Sequence, residues 1–412
     1  MHNIEVLDSS RPGIRKNNIV VMLISLLFLI GILYPTSIGG VINRNLTMLI
    51  AVITMLLFAL LIVIFKNINK LFLSSLLIIN FILWFATLMN NGVTIERSVA
   101  IFFLLVTFMY CLNLKQLKLS KNVLKIFNLV NFILITIGFF MIFGNVPIGK
   151  MLINYYSDFY PELVPNMVER GKPVISFGTH SIAAFYMFLF FFLNFKTYQT
   201  LNKKIYFLIS LVYLYFCLEL KSNTGLFLLI FGILILFYSI KNKGIFLLKA
   251  LLPLIATVLL FHEEINNFWL NLQAEIIMTA SSQDNGFLGR YVGGIQSKNL
   301  EFILNNPFNA IGFSSNSSDF VLFDSGLVST AIRGTIILSV IMYLTLFLFF
   351  KKNLINKRMA VFMFFIFFIF ETGFNNLYYF RTIMLLPFII IFLNYLEEKR
   401  LKTEVSRGLN IE

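Results

Sequence analysis

The chain has 412 residues, 58% of them hydrophobic and 13% charged, with a formal net charge of +14 and a mean hydropathy of +0.86. A water-soluble domain of this size needs far more polar surface to cover one core, and barrel strands would alternate in polarity, so both architectures are excluded. The 33 Lys and Arg residues fall mostly in short connectors between apolar runs, which argues against a nucleic-acid interface and for a charge bias across a membrane.

Bare N–H and C=O groups cost several kcal/mol each in hydrocarbon, so the apolar runs are predicted to be helices. At roughly 17–25 residues per crossing, about twelve spans are expected. The first five are 19–39, 45–65, 71–90, 98–114 and 122–143. The next four are 177–195, 205–220, 224–240 and 244–261, and the last three are 327–350, 359–376 and 382–396. Arg11, Arg15 and Lys16 precede the first run in the manner of a signal sequence, but no small-residue cleavage site follows, so it reads as a retained helix. Cys111 and Cys217 have no CxxC or metal-ligand spacing and read as small buried apolar residues.

Counting Lys and Arg on alternate sides gives twenty-one on the side of the N-terminus and nine on the other. Both termini and the basic connector Lys351–Arg358 are therefore expected in the cytoplasm, in a multi-pass arrangement. Two connectors are too long for turns and fall on the outer side: 144–176 and the larger 262–326. The chain reads as one all-α transmembrane domain over 1–412, with no internal repeat and no separate soluble domain.

The large outer loop contains, in order, Gly289-Arg290, Asn306-Pro307, Ile311-Gly312-Phe313 and Asp324-Ser325-Gly326, with Gly334 early in the next helix. In this order and setting the chain resembles the O-antigen and capsular repeat-unit polymerase family, within the polymerase–ligase group of bacterial envelope glycosyltransferases. A second similarity lies in the earlier loop, where Arg170, Gly171 and Pro173 precede Gly178-Thr179-His180-Ser181. The turn lacks the second glycine, Ala310 preceding Ile311, and no histidine lies near Asp319, where ligases often carry one. The likeness therefore leans to a polymerase.

The resemblance implies transfer of a glycan from a polyprenyl-diphosphate carrier to the next lipid-linked unit, on the outer face of a bacterial cytoplasmic membrane. The product would be lipopolysaccharide O-antigen or capsule. Guanidinium groups suit the diphosphate, so Arg290 and Arg170 are expected to hold phosphate or sugar. Asp324 or His180 would take the acceptor proton, worth about 10²–10⁴-fold. Lys172, Asp319, Arg333, Glu371 and Arg381 are candidate substrate-binding residues. Partners implied are the lipid-linked oligosaccharide, membrane lipid, a chain-length regulator and a flippase of the same pathway.

No Asp-x-Asp or His/Asp cluster has metal-ligand spacing, so metal-independent chemistry without a cofactor is expected. Structural readings stand beside these: Arg290 as a loop cation paired with Asp284, Asp324 as a helix N-cap, and His180 bonded to a neighbouring helix. Arg333 and Glu371 lie inside expected spans, where a charge costs roughly 2.5–3.5 kcal/mol, so they should face a cavity or pair with each other. Two alternatives remain: a ligase moving finished glycan to another acceptor, and a transporter that flips lipid-linked oligosaccharide.

Overall fold

A computed structural model describes residues 12–33, 41–65, 70–89, 95–117, 122–142, 146–159, 163–169, 180–220, 223–239, 270, 296–314, 325–373 and 380–406. The first five helices are α1 (Pro12–Leu33), α2 (Val41–Phe65), α3 (Lys70–Met89), α4 (Arg97–Cys111) and α5 (Asn122–Ile142). The next five are α6 (Pro147–Phe159), α7 (Leu163–Glu169), α8 (His180–Leu201), α9 (Lys204–Glu219) and α10 (Asn223–Ser239). The last four are α11 (Ser297–Asn305), α12 (Gly326–Asn353), α13 (Lys357–Gly373) and α14 (Phe380–Ser406).

The protein is all-α: among the described residues the only β pairing is one isolated bridge between Ile95 and Ser314. Helices occupy eleven of the twelve expected spans, and the twelfth, 244–261, lies outside the described residues. Among the described residues, four helices are long and apolar enough to cross a membrane, in segments 72–89, 122–142, 181–201 and 326–353. The first long connector, 144–176, carries two helices of its own, α6 and α7.

Two helices are buried around their whole circumference over long stretches, which only a central position permits. Every side chain from Ala183 to Phe195 in α8 and from Arg381 to Leu396 in α14 is buried. Around them the outer helices turn large apolar residues outward, with Phe81 and Phe132 each 70% exposed, as a lipid-facing surface requires.

The centre is aromatic. Phe28 of α1 stacks on Phe388, and Phe127 of α5 on Phe392, each at 4.0 Å between ring centroids. Gly31 allows this approach, since a Cβ there would stand 3.1 Å from Met384 Cβ. Amide pairs fix the register of neighbouring helices. Asn131 and Asn194 exchange two 2.9 Å bonds between α5 and α8, and the Tyr213 hydroxyl donates to Asn131 Oδ1 from α9. Such bonds average about 0.6 kcal/mol in membrane proteins, so their value lies mainly in alignment.

The expectation of one continuous helix over 327–350 is corrected. Gly334 (φ −143°, ψ 19°) and Thr335 (φ 76°, ψ 167°) break the helical path inside α12. Residues 12 apart in a straight helix are separated by about 18 Å. Here Ser339 Oγ donates to the Leu327 carbonyl at 3.3 Å. The short arm 326–333 therefore folds back along the start of the long arm 336–353, and that long arm alone has the length of a crossing. The apolar run masked this break, because both arms are hydrophobic.

Candidate functional site

A break in a helix leaves four carbonyls without their usual partners. At the tip of the α12 hairpin two of these are taken up by the loop that follows α11. Ile311 N donates to Ile332 O at 3.1 Å, and Gly312 N donates to Arg333 O at 2.8 Å. Arg333 returns the contact through its side chain, Nη1 donating to Gly312 O at 3.0 Å and Nη2 to Glu96 Oε2 at 2.7 Å. Each of these polar groups, buried and unpaired, would cost about 1–3 kcal/mol.

The same turn is fastened to α3 and α4. Phe313 N donates to Thr87 Oγ1 at 2.7 Å, and Glu96 N donates to Phe313 O at 2.8 Å. The Phe313 ring stands edge-on between Trp84, at 5.1 Å, and Phe103, at 5.5 Å. Gly312 has φ +61°, and a Cβ would run into the Leu83 carbonyl and Thr87. Only glycine fits there. Beneath the turn, Ile303 of α11 and Ile311 pack on Val328, Ala331 and Ile332 of the short arm.

The base of the hairpin is a second polar centre. Ser325 caps the short arm, accepting from Val328 N at 3.4 Å, and donates its hydroxyl to the Glu371 carbonyl at 3.2 Å. The N-cap is thus Ser325 and not Asp324, whose sequence position suggested that role. Tyr343, on the long arm, donates to Glu371 Oε2 at 2.9 Å. Glu371 therefore joins both arms. Arg381 is fully buried at the start of α14, and its neighbour Thr382 lies 2.5 Å from the Tyr186 hydroxyl of α8. Phe185 packs on Phe370 at 4.3 Å, which brings α8 against α13 at the residue next to Glu371.

The candidate residues lie in separate places. Arg333 belongs to the tip, and Glu371 to the base. The two were expected to face a cavity or pair with one another, but the ion-pair partner of Arg333 is Glu96, and the hydroxyl on Glu371 comes from Tyr343. Arg381 lies beyond Glu371 in sequence, buried at the head of α14. His180 opens α8, where the next residue, Ser181, accepts a 3.5 Å hydrogen bond from Thr224 of α10. Arg170, Lys172, Arg290, Asp319 and Asp324 lie outside the described residues.

Glu96, Tyr343 and Tyr186 were not singled out from the sequence. Glu96 carried a signal, as a lone carboxylate beside Arg97 in a short connector, but its partner is 237 positions away. Chemically, the centre offers an ion pair at the tip, and at the base a buried carboxylate with a tyrosine beside the capped N-terminus of the short arm. Compared with protein-family models, curated proteins and solved structures, the chain shows no match.

Proposed function

We propose that this is a repeat-unit polymerase: a glycosyltransferase that joins lipid-linked oligosaccharides on the outer face of a bacterial cytoplasmic membrane. In this reading the chain crosses the membrane about twelve times with both termini in the cytoplasm. The end bearing Arg333, Gly312 and Glu96 then faces outward. Glycan passes from a polyprenyl-diphosphate carrier to the next unit, without metal or cofactor. Arg290 and Arg170 engage diphosphate or sugar, while Asp324 or His180 receives the acceptor proton. A flippase and a chain-length regulator act beside it.

One observation supports this reading most. The scattered motif pieces Ile311-Gly312-Phe313 and Gly334 meet in one constructed feature, the clamped tip of a folded-back helix. A rigid support is what a positioned catalytic pair needs. The rival reading, a flippase for the same substrate, also draws on a specific observation, because broken helices commonly form transporter binding sites.

Surface glycan from a deletion strain separates the readings. Loss of polymerase leaves single repeat units and removes the long ladder. A missing flippase leaves no exposed repeats, and a missing ligase leaves polymer on the carrier lipid. An intact ladder in Arg290→Ala at normal abundance contradicts the assignment of Arg290. Strict dependence of polymer formation on added Mg²⁺ or Mn²⁺ after chelation contradicts metal-independent chemistry.

A further inference from the structure

We infer that the opposite end of the bundle holds a phosphate site for the head group of an anionic phospholipid. It lies between the ends of α8 and α14 and the connector joining α12 to α13. This site is independent of whatever chemistry takes place at the hairpin.

A cavity of about 60 Å³ opens there, with Lys196, Gln199, Thr200, Asn356, Glu397 and Arg400 as its polar lining. Its floor is preorganised. Asn394 Oδ1 accepts from Ile355 N at 2.9 Å, and Asn394 Nδ2 donates to Asn353 O at 2.7 Å, so the connector is pinned to α14 from both directions. Asn353 in turn accepts from Leu114 N at 2.7 Å, and Asn356 Nδ2 donates to Glu397 Oε1 at 3.2 Å.

The wall is different. Lys196, Gln199 and Thr200 stand at i, i+3 and i+4 on one face of α8. Among the described residues none of the three side chains has a hydrogen bond or ion pair within 4 Å, and Lys196 has only a longer-range attraction to Glu397 across the cavity.

Charge selects the ligand. Arg400 is already engaged, by Glu397 at 2.6 Å and Glu404 at 3.3 Å. Within the lining itself, Lys196 and Arg400 against Glu397 leave a balance of one positive charge, which matches the single negative charge of a phosphodiester. The Glu397 carboxylate on the opposite side disfavours the more highly charged free phosphate. Leu354, Met359, Leu393 and Leu396 add apolar surface to the lining, as the first carbons of a lipid require. Basic pockets between helices at the positively charged membrane face are suited to lipid phosphates.

Native mass spectrometry of the full chain tests this, with phosphatidylglycerol, phosphatidylcholine or inorganic phosphate as probes. The wild type should retain one phosphatidylglycerol. Lys196→Gln should lower that fraction about tenfold, the value of one charge-assisted bond, while Lys196→Arg restores it. Lys351→Gln, at the same end but outside the cavity, should leave retention unchanged; an unaltered melting temperature of lipid-free Lys196→Gln shows that the fold is intact. Equal retention by wild type and Lys196→Gln, or equal retention of phosphatidylcholine, overturns the proposal. Binding of inorganic phosphate that depends on Lys196, with no lipid retained, overturns the lipid as occupant and assigns the cavity to free phosphate.

Discussion

The two ends of this bundle solve the same problem, satisfying polar groups at helix termini, in different ways. At the basic end, short connectors are tied down by neutral amides. Asn353, Asn356 and Asn394 close the α12–α13 turn without any unusual backbone geometry. At the loop end, a helix is broken and folded back, and its freed carbonyls are capped by a distant turn. That turn is held by the Arg333–Glu96 pair and a glycine at positive φ. The first is a fastening. The second keeps a strained arrangement in place, and strain of this kind collects where a site must be held in one shape.

Substitutions can break that contrast. The largest effect is expected from Gly312→Val, which adds a branched side chain where even a Cβ meets the Leu83 carbonyl and Thr87. A loss of about 3–5 kcal/mol is expected, seen as loss of folded protein in a detergent melting assay. Gly232, whose Cβ would meet only side-chain atoms, should lose less on the same change.

Next comes the ion pair. Arg333 is 5% exposed and Glu96 22%, so removing either partner should cost about 2–3 kcal/mol, below the range for a fully buried pair. A double-mutant cycle should return a coupling of about 1–2 kcal/mol. Arg333→Lys should not rescue it, since one ammonium cannot serve Gly312 O and Glu96 together in fork geometry.

Asn394→Leu at the basic end should cost about 1–2 kcal/mol, for the Ile355 N–H and Asn353 C=O it leaves unpaired. The smallest change has the opposite sign. Thr335→Gly relieves a β-branched residue at φ 76° and should raise the melting temperature, by about 1 kcal/mol of stability.

Much of the fold was legible because lipid simplifies the code. Apolar runs bounded by basic connectors mark helices, and eleven expected runs are helical here. Gly312 and Gly334 were legible as motif positions, though their reasons differ. The first fits against α3, while the second allows the chain to turn back. The turn itself was hidden, since 326–353 reads as one long apolar segment and nothing in its periodicity marks Thr335. The pairing of Arg333 was hidden for another reason. A charge inside an apolar run announces that it has a partner but not which one, and Glu371 was the nearer carboxylate in sequence.

The folded-back arm carries the whole account of the loop end, and it can be measured directly. Cysteines at Leu327 and Ser339, in a background lacking Cys111 and Cys217, are treated with a bifunctional thiol reagent that reaches about 6 Å, a third of the ~18 Å expected in a straight helix. Efficient intramolecular cross-linking is expected in the membrane-embedded protein, and weaker cross-linking when Gly312→Val or Arg333→Ala releases the tip. Two separately modified cysteines after complete reaction, each carrying a reagent attached at one end only, would show a continuous helix and contradict it.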